Sequence, residues 1–509
     1  MAVHKVSSAQ TNLVSVYGVE VETDLSRGLY AFSIVGLPDK AVEEAKDRVG
    51  AAIKNSGLTS PKQKNQKIVI SLAPANEKKE GASFDLAIAL SYLLAAEEIN
   101  FDPKKKLFIG ELSLDGSLRA VRGILPVAKF AKEHGHGEIY VPKDNAREAA
   151  LIAGLDVYGV ETLSTLLQHL SGEKLMAKTP KSTFAKSSSA KTNVDFADVK
   201  GQERAKRGLL IAAAGGHNVA MYGPPGTGKT MLAKAFAGIL PELTFDEALE
   251  ATSIHSVAGL LSGFVTEPPF RAPHHTSSYV ALVGGGVTPK PGEITLAHRG
   301  VLFMDEFPEF ERRVIESLRQ PLEDKIISVA RAKGTAKFPA DLILVAAMNP
   351  CPCGNFGFKG KSCICTPSAL QRYRRKMSGP IIDRIDLWLE VDRVLPHDLS
   401  EGPEGAGSYI FRSKVSEARK IQRERFGKLK SKLHRNSEMS ARDIVNFVFL
   451  EPEARQTLNL AAERLNFSPR VYHRMLKVAR TIADLENSVN ITRDHVLEAV
   501  EYRPKKFDV

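Results

Sequence analysis

The octet Gly223-Pro224-Pro225-Gly226-Thr227-Gly228-Lys229-Thr230 sets glycines, a lysine and a hydroxyl at the spacing that phosphate chemistry needs. The glycines let backbone N–H groups curl around phosphate oxygens, and a helix starting at Lys229 adds partial positive charge from its N-terminus. In such a loop Lys229 reaches the β and γ phosphates and the Thr230 hydroxyl ligates Mg2+. Further along, the apolar run Val301–Met304 ends in Asp305 and Glu306. Asp305 is placed to hold the Mg2+ shell, and Glu306 to polarise an attacking water. The two motifs imply hydrolysis of ATP, with Mg2+ as cofactor.

A second chemistry is written in sulfur. The chain has four cysteines, Cys351, Cys353, Cys363 and Cys365, in two C-x-C pairs. Four thiolates so close suit a tetrahedral structural zinc site. The C-x-C spacing is tighter than the common C-x2-C, so four reduced thiols without metal stay open as the alternative. So few cysteines exclude a secreted disulfide scaffold. His274 and His275 are adjacent, and neighbours on one strand of chain rarely converge on one ion, so they are read as part of an insert.

These residues need a scaffold. HNVAMY precedes the octet and MLAKAFAGIL follows it, the strand–loop–helix order a phosphate loop requires. Strand and helix signals alternate over 194–395, which predicts a parallel sheet. Residues 1–171 also alternate β-like runs (KIVISLA, GEIYVP) with helical stretches such as Ala82 to Ala96, so this region is α/β as well. Between them, 172–193 is rich in Lys and Ser and reads as a flexible linker. The C-terminal stretch, 396–509, reads as a helical lid, with a capping box at Ser440–Asp443 and a helix opening at Thr492.

A formal net charge of +11 suits a polyanionic partner, though a solvated basic surface gives the same number. No apolar run is long enough to span a bilayer, and the N-terminus lacks a secretory pattern, so a cytoplasmic protein is expected.

FRAPHHTSS (270–278), ALVGGGVTPKPGEITLAHRGVLFMDEFPEF (281–310), AAMNPCPCG (346–354) and SGPIIDRIDL (378–387) resemble the magnesium chelatase-related AAA+ ATPases. Within that group the likeness is greatest to the ComM (YifB) family, and it runs along essentially the whole chain. The resemblance implies a homo-hexameric ring with each ATP site shared between neighbours. It makes Asn349, after the strand ADLILVAAM, the sensor that orients the lytic water, where the residues alone would allow a turn-forming Asn before Pro350. It places Arg384 as the arginine finger reaching a neighbour's γ-phosphate, and Arg470 at the second sensor position. It reads Gly263–Arg299 as a helix-2 insert, and Lys325–Val345 as a pre-sensor hairpin whose Arg331, Lys333 and Lys337 track a DNA backbone.

APANEKKEGASFDLAIAL (73–90) and IGELSLDGSLRAVRGILP (109–126) resemble the Lon protease fold. Ser83 falls at the nucleophile position, but the position of the base aligns with Leu125, beside Pro126. Neither can accept a proton, and Lys129 lies one helical turn further on. The resemblance therefore implies a non-catalytic Lon-like domain. The function it implies is an ATP-dependent DNA motor, a helicase and branch-migration factor in recombination and natural transformation. Its partners would be single-stranded and branched DNA and recombination proteins. Two alternatives are a chelatase-type remodeller of a protein partner, against which the Lon-like extension speaks, and an ATP-dependent Lon-like protease.

Overall fold

The alternating buried and partly buried positions of Gln66–Ala73 and the unbroken apolar run of Val219–Tyr222 mark two kinds of strand, half-buried and fully buried. Each belongs to a separate sheet. The computed structural model describes residues 5–12, 15–181, 194–260, 263–285, 290–331, 334–358, 362–394, 405–428, 431 and 433–503. By internal contacts the chain divides into two units, residues 1–187 with 252–264, and 188–251 with 265–509.

In the first unit seven strands form a mixed sheet: β1 (Lys5–Asn12), β2 (Ser15–Arg27), β3 (Ala31–Val35), β4 (Gln66–Ala73), β5 (Lys106–Phe108), β6 (Glu138–Pro142) and β7 (Asp156–Val160). Their order is β3-β4-β2-β1-β5-β6-β7. Helix α1 (Asp85–Ala95), expected over 82–96, is apolar on every face and lies against the sheet, where the hydroxyls of Ser91 and Thr23 meet at 2.8 Å. Residues 172–181, read from sequence as the start of a linker, bond to this unit. The Met176 N–H donates to His169 Nδ1 and the Thr179 N–H to the Val157 carbonyl. Residues 182–193 lie outside the described residues.

The second unit is built on five parallel strands: β8 (Val219–Tyr222), β9 (Phe270–Arg271), β12 (Val301–Met304), β15 (Ile343–Met348) and β16 (Leu387–Glu390), in the order β9-β12-β15-β8-β16. Two small hairpins accompany it, β10 (Gly284–Gly285) with β11 (Lys290–Pro291), and β13 (Ile326–Arg331) with β14 (Gly334–Pro339). Helices α2 (Glu203–Gly215) and α3 (Lys229–Ile239) flank the sheet, and the short α4 (Tyr279–Val283) and α5 (Gly379–Ile382) sit in its connections.

The C-terminal stretch is helical, as expected. Ser440 and Asp443 form the reciprocal cap and Thr492 caps with His495. It does not separate from the sheet domain, however. Helix α6 (Ser408–Lys428) lies along α2, where Arg419 and Gln422 donate to the carbonyls of Ala213 and Ala214. Those carbonyls end α2 and have no partner inside it. Helix α7 (Pro469–Leu485) gives Met475 and Val478 to the same core as Phe236, Val345 and Leu387. Each such aliphatic side chain contributes about 1.5–3 kcal/mol by burial.

A candidate ATP site and the opposite end of the sheet

Pairing in β8, β12 and β15 is in step. Val219 lies opposite Val345, and Phe303 opposite the same Val345. The strands therefore end together, and the residues just beyond them, Gly223, Asp305 and Asn349, gather at one edge. Ligands of open parallel sheets bind outside these carboxyl ends. Gly223 is demanded by crowding, since a Cβ there would stand 1.9 Å from the Val391 carbonyl oxygen.

Lys229 opens α3 and is buried. Its ammonium donates to the carbonyls of Gly223 and Pro224, both at 2.8 Å, and to Asn349 Oδ1 at 3.3 Å. Burial pushes its pKa down to about 8, against the opposing pull of Asp305. The Thr230 hydroxyl donates to Asp305 Oδ2 at 2.8 Å. The two oxygens that the sequence assigns to one Mg2+ thus lie together. Thr230 and Asp305 would be the residues to hold such an ion, which would supply charge neutralisation. Thr227 ties the loop by donating to the Pro224 carbonyl. Glu306 is half exposed, and its carboxylate faces His275. The Tyr373 hydroxyl donates to the Asn349 carbonyl at 3.1 Å, a support with no signature in the sequence.

The four cysteine sulfurs lie within 4.8 Å of one another. Three Sγ···Sγ separations are 3.4, 3.6 and 3.9 Å. Four sulfurs about 2.3 Å from a tetrahedral zinc would be about 3.8 Å apart, so the set fits that ion. The Phe356 N–H also donates to Cys351 Sγ. Gly354, within this loop, has φ 78°, and a Cβ on it would come to 2.5 Å of Pro225 Cδ. The cysteine loop rests directly on the phosphate loop.

Arg384 and Arg470 are not at this edge. They line a cleft of about 510 Å3 with Asn218, Asp341 and Asp386, residues that precede β8, β15 and β16. The cleft therefore opens at the amino ends of the strands. Arg384 pairs with Glu323, and Arg470 approaches the same carboxylate at 3.5 Å. Asp386, held down to about 2 by His217 and Arg474, joins the start of β16 to α7. Arg384 Nε and Arg474 Nη1 are buried with no partner among the described residues.

The 325–345 stretch does form two antiparallel strands, with Lys337 exposed opposite Ser328. Arg331 ends β13. Lys333 lies outside the described residues, and so does the side chain of Arg331. In the first unit, Leu125 is fully buried, Lys129 is exposed with Glu133 at 4.0 Å, and no hydrogen bond joins Lys129 to Ser83 among the described residues. Lys79, four positions before Ser83, is fully buried, donates to the Pro74 and Glu77 carbonyls, and has its pKa lowered by burial. Among the described residues only the four cysteines group as potential metal ligands, and His274 and His275 do not.

Family models described as the magnesium chelatase subunit ChlI match residues 21–145 and 195–399, and its C-terminal part matches 405–503. The first match lies within the N-terminal unit. Competence protein ComM of Haemophilus influenzae is 43% identical over 95% of this chain and 94% of its own length. Uncharacterized protein YifB of Escherichia coli is 43% identical over the same shares of the two chains. A DNA replication licensing factor of Schizosaccharomyces pombe is 25% identical over 48% of this chain and 26% of its own.

Proposed function

The chain belongs to the magnesium chelatase-related family of AAA+ ATPases that includes ComM and YifB, and on that premise we propose that it is a hexameric DNA motor, a helicase and branch-migration factor serving recombination and natural transformation in the cytoplasm. The carrying observation is the antiparallel β13–β14 hairpin just ahead of Asn349. The sequence of this stretch carries Arg331, Lys333 and Lys337 with no acid among them, as suits contact with phosphates without reading bases. The match to a replication licensing factor and the name of ComM support the same direction.

In this reading Lys229 and Thr230 grip ATP and Mg2+, Asp305 completes the Mg2+ shell, Glu306 accepts the proton of the attacking water, and Asn349 orients that water. Arg384 acts on a neighbour's γ-phosphate. Because Arg470 shares its cleft and its Glu323, it is assigned to the same neighbour. The cysteines hold a structural zinc. The N-terminal unit, residues 1–171, is a non-catalytic Lon-like domain, 194–395 the ATPase core and 396–509 the lid. Ser83 without a base argues against proteolysis.

Purified protein should hydrolyse ATP faster with single-stranded or forked DNA and should displace a strand from forked and three-stranded substrates, with Lys229→Ala inactive in both assays. No stimulation and no displacement would favour the chelatase-type remodeller.

A further inference from the structure

Parallel pairing starts β8 and β16 together, with Val219 opposite Leu387, so Asn218 and Asp386 lie side by side just ahead of the two strands. The backbone of Asn218 is fully used there. Its N–H donates to Asp386 Oδ2 at 3.1 Å, and its carbonyl accepts the N–H groups of Asp386 and Leu387 at 3.0 and 3.1 Å. The side chain reaches beyond this pair. Asn218 Nδ2 donates to the Arg384 carbonyl at 3.1 Å, while Asn218 Oδ1 accepts the Leu344 N–H at 2.9 Å.

Those two bonds join an arginine to a strand. Leu344 belongs to β15, which is buried at every position and runs to Asn349, whose Oδ1 accepts from the Lys229 ammonium at 3.3 Å. Arg384 lies in the turn after α5, where its N–H donates to the Ile381 carbonyl and its Nη1 to the Pro380 carbonyl. Its other side-chain partner is Glu323, itself half exposed. Among the described residues, the bond from Asn218 is therefore the one hydrogen bond that ties Arg384 to the strand ends. An amide suits this place because one short side chain carries both a donor and an acceptor, whereas a carboxylate only accepts.

We propose that Asn218 is a positioning residue for Arg384, fixing the arginine that serves a neighbour to the strand that ends in Asn349 of its own site. The inference rests on the reading of Arg384 as an arginine supplied across a ring interface. Such an arginine stabilises developing charge only when its N–H groups stand at hydrogen-bond range, and a misplacement of about 1 Å costs about 10²-fold. With the amide gone, the turn keeps its contacts to α5 and loses its reference to β15.

The test is steady-state ATP hydrolysis by the full chain with a poly-dT oligonucleotide present, wild type against Asn218→Ala and Asn218→Asp. In Asn218→Asp the acceptor for Leu344 stays and an oxygen replaces the donor to Arg384. Both variants should lose about 10²-fold in kcat with ATP affinity near wild type, and Arg384→Ala should lose more. Mixing separates positioning from a general defect of the sheet. Asn218→Ala keeps an intact phosphate loop, so Lys229→Ala, with its arginine in place, should restore turnover to the level it gives with Arg384→Ala. Arg384→Ala should not restore it. A kcat close to wild type in either variant overturns the proposal, as does a loss of ATP binding. So does Asn218→Ala left inactive by Lys229→Ala while Arg384→Ala is restored, an outcome in which the shared site still stands. If Lys229→Ala restores neither, the shared site falls and the proposal with it.

Discussion

The two ends of the five-stranded sheet carry charge in opposite ways. At the carboxyl ends Lys229 is held by neutral carbonyls and one amide oxygen, facing a helix N-terminus that itself favours anions. At the amino ends Arg384 and Arg470 converge on Glu323 of their own chain, with a buried Nε left over on Arg384. In the proposed reading the first end receives phosphates and the second supplies cations to a neighbour. One chain would then bear the two halves of one reaction at opposite ends of one sheet, and a ring would close the site by repeating a head-to-tail contact.

The sharpest way to break this comparison is Arg384→Ala. A trans-acting arginine is worth about 10³–10⁵ in turnover, so kcat should fall by at least about 10³ while ATP affinity stays near wild type. Mixing that variant with Lys229→Ala should restore activity, because an intact loop of one then meets an intact arginine of the other, at roughly a quarter of interfaces under random ring assembly. Two inactive proteins that stay inactive together, with rings still formed, would mean that Arg384 does not act across an interface.

A smaller effect is expected at the cysteines. Metal analysis should find one zinc per chain, lost in Cys353→Ser with Cys363→Ser. Because Gly354 is pressed on Pro225, that loss should weaken ATP binding several-fold and leave the arginine cleft untouched. An unchanged ATP affinity in the zinc-free protein would uncouple the two loops.

How much of this was legible beforehand follows from the range of the interactions. The phosphate loop, Asp305 and Glu306, the Ser440 cap and the α/β character of both units are local patterns, and the structure has them where the sequence put them. The Tyr373 bond to Asn349, the Asp386 link from β16 to α7 and the His275 contact with Glu306 each join residues far apart in the chain, and no spacing rule announces them. The histidine pair is visible in the sequence, but reading it as part of an insert points to no contact with Glu306. The linker boundary rests on composition and the lid on helix caps and helical spacing. Composition does not see that residues to Thr179 bond along β7, or that α6 shares a core with the sheet.

The finest probe of the two ends is a proton. Lys229 titrates near 8 in the folded chain because burial disfavours its charge, well below an unfolded lysine near 10.4. The stability it contributes is therefore full above the unfolded value and is lost as pH falls through about 8, so stability rises across that window. Phosphates favour the charged form, so ATP binding at pH 8.5 should take up a substantial fraction of one proton, and near pH 6.5 almost none. Calorimetry in two buffers of different ionisation enthalpy reads this directly. Guanidinium groups do not titrate in this range, so Arg384→Ala should leave the uptake unchanged, whereas Lys229→Arg should abolish it. Proton uptake that vanished in Arg384→Ala instead would mean that the two ends act on one nucleotide within the same chain.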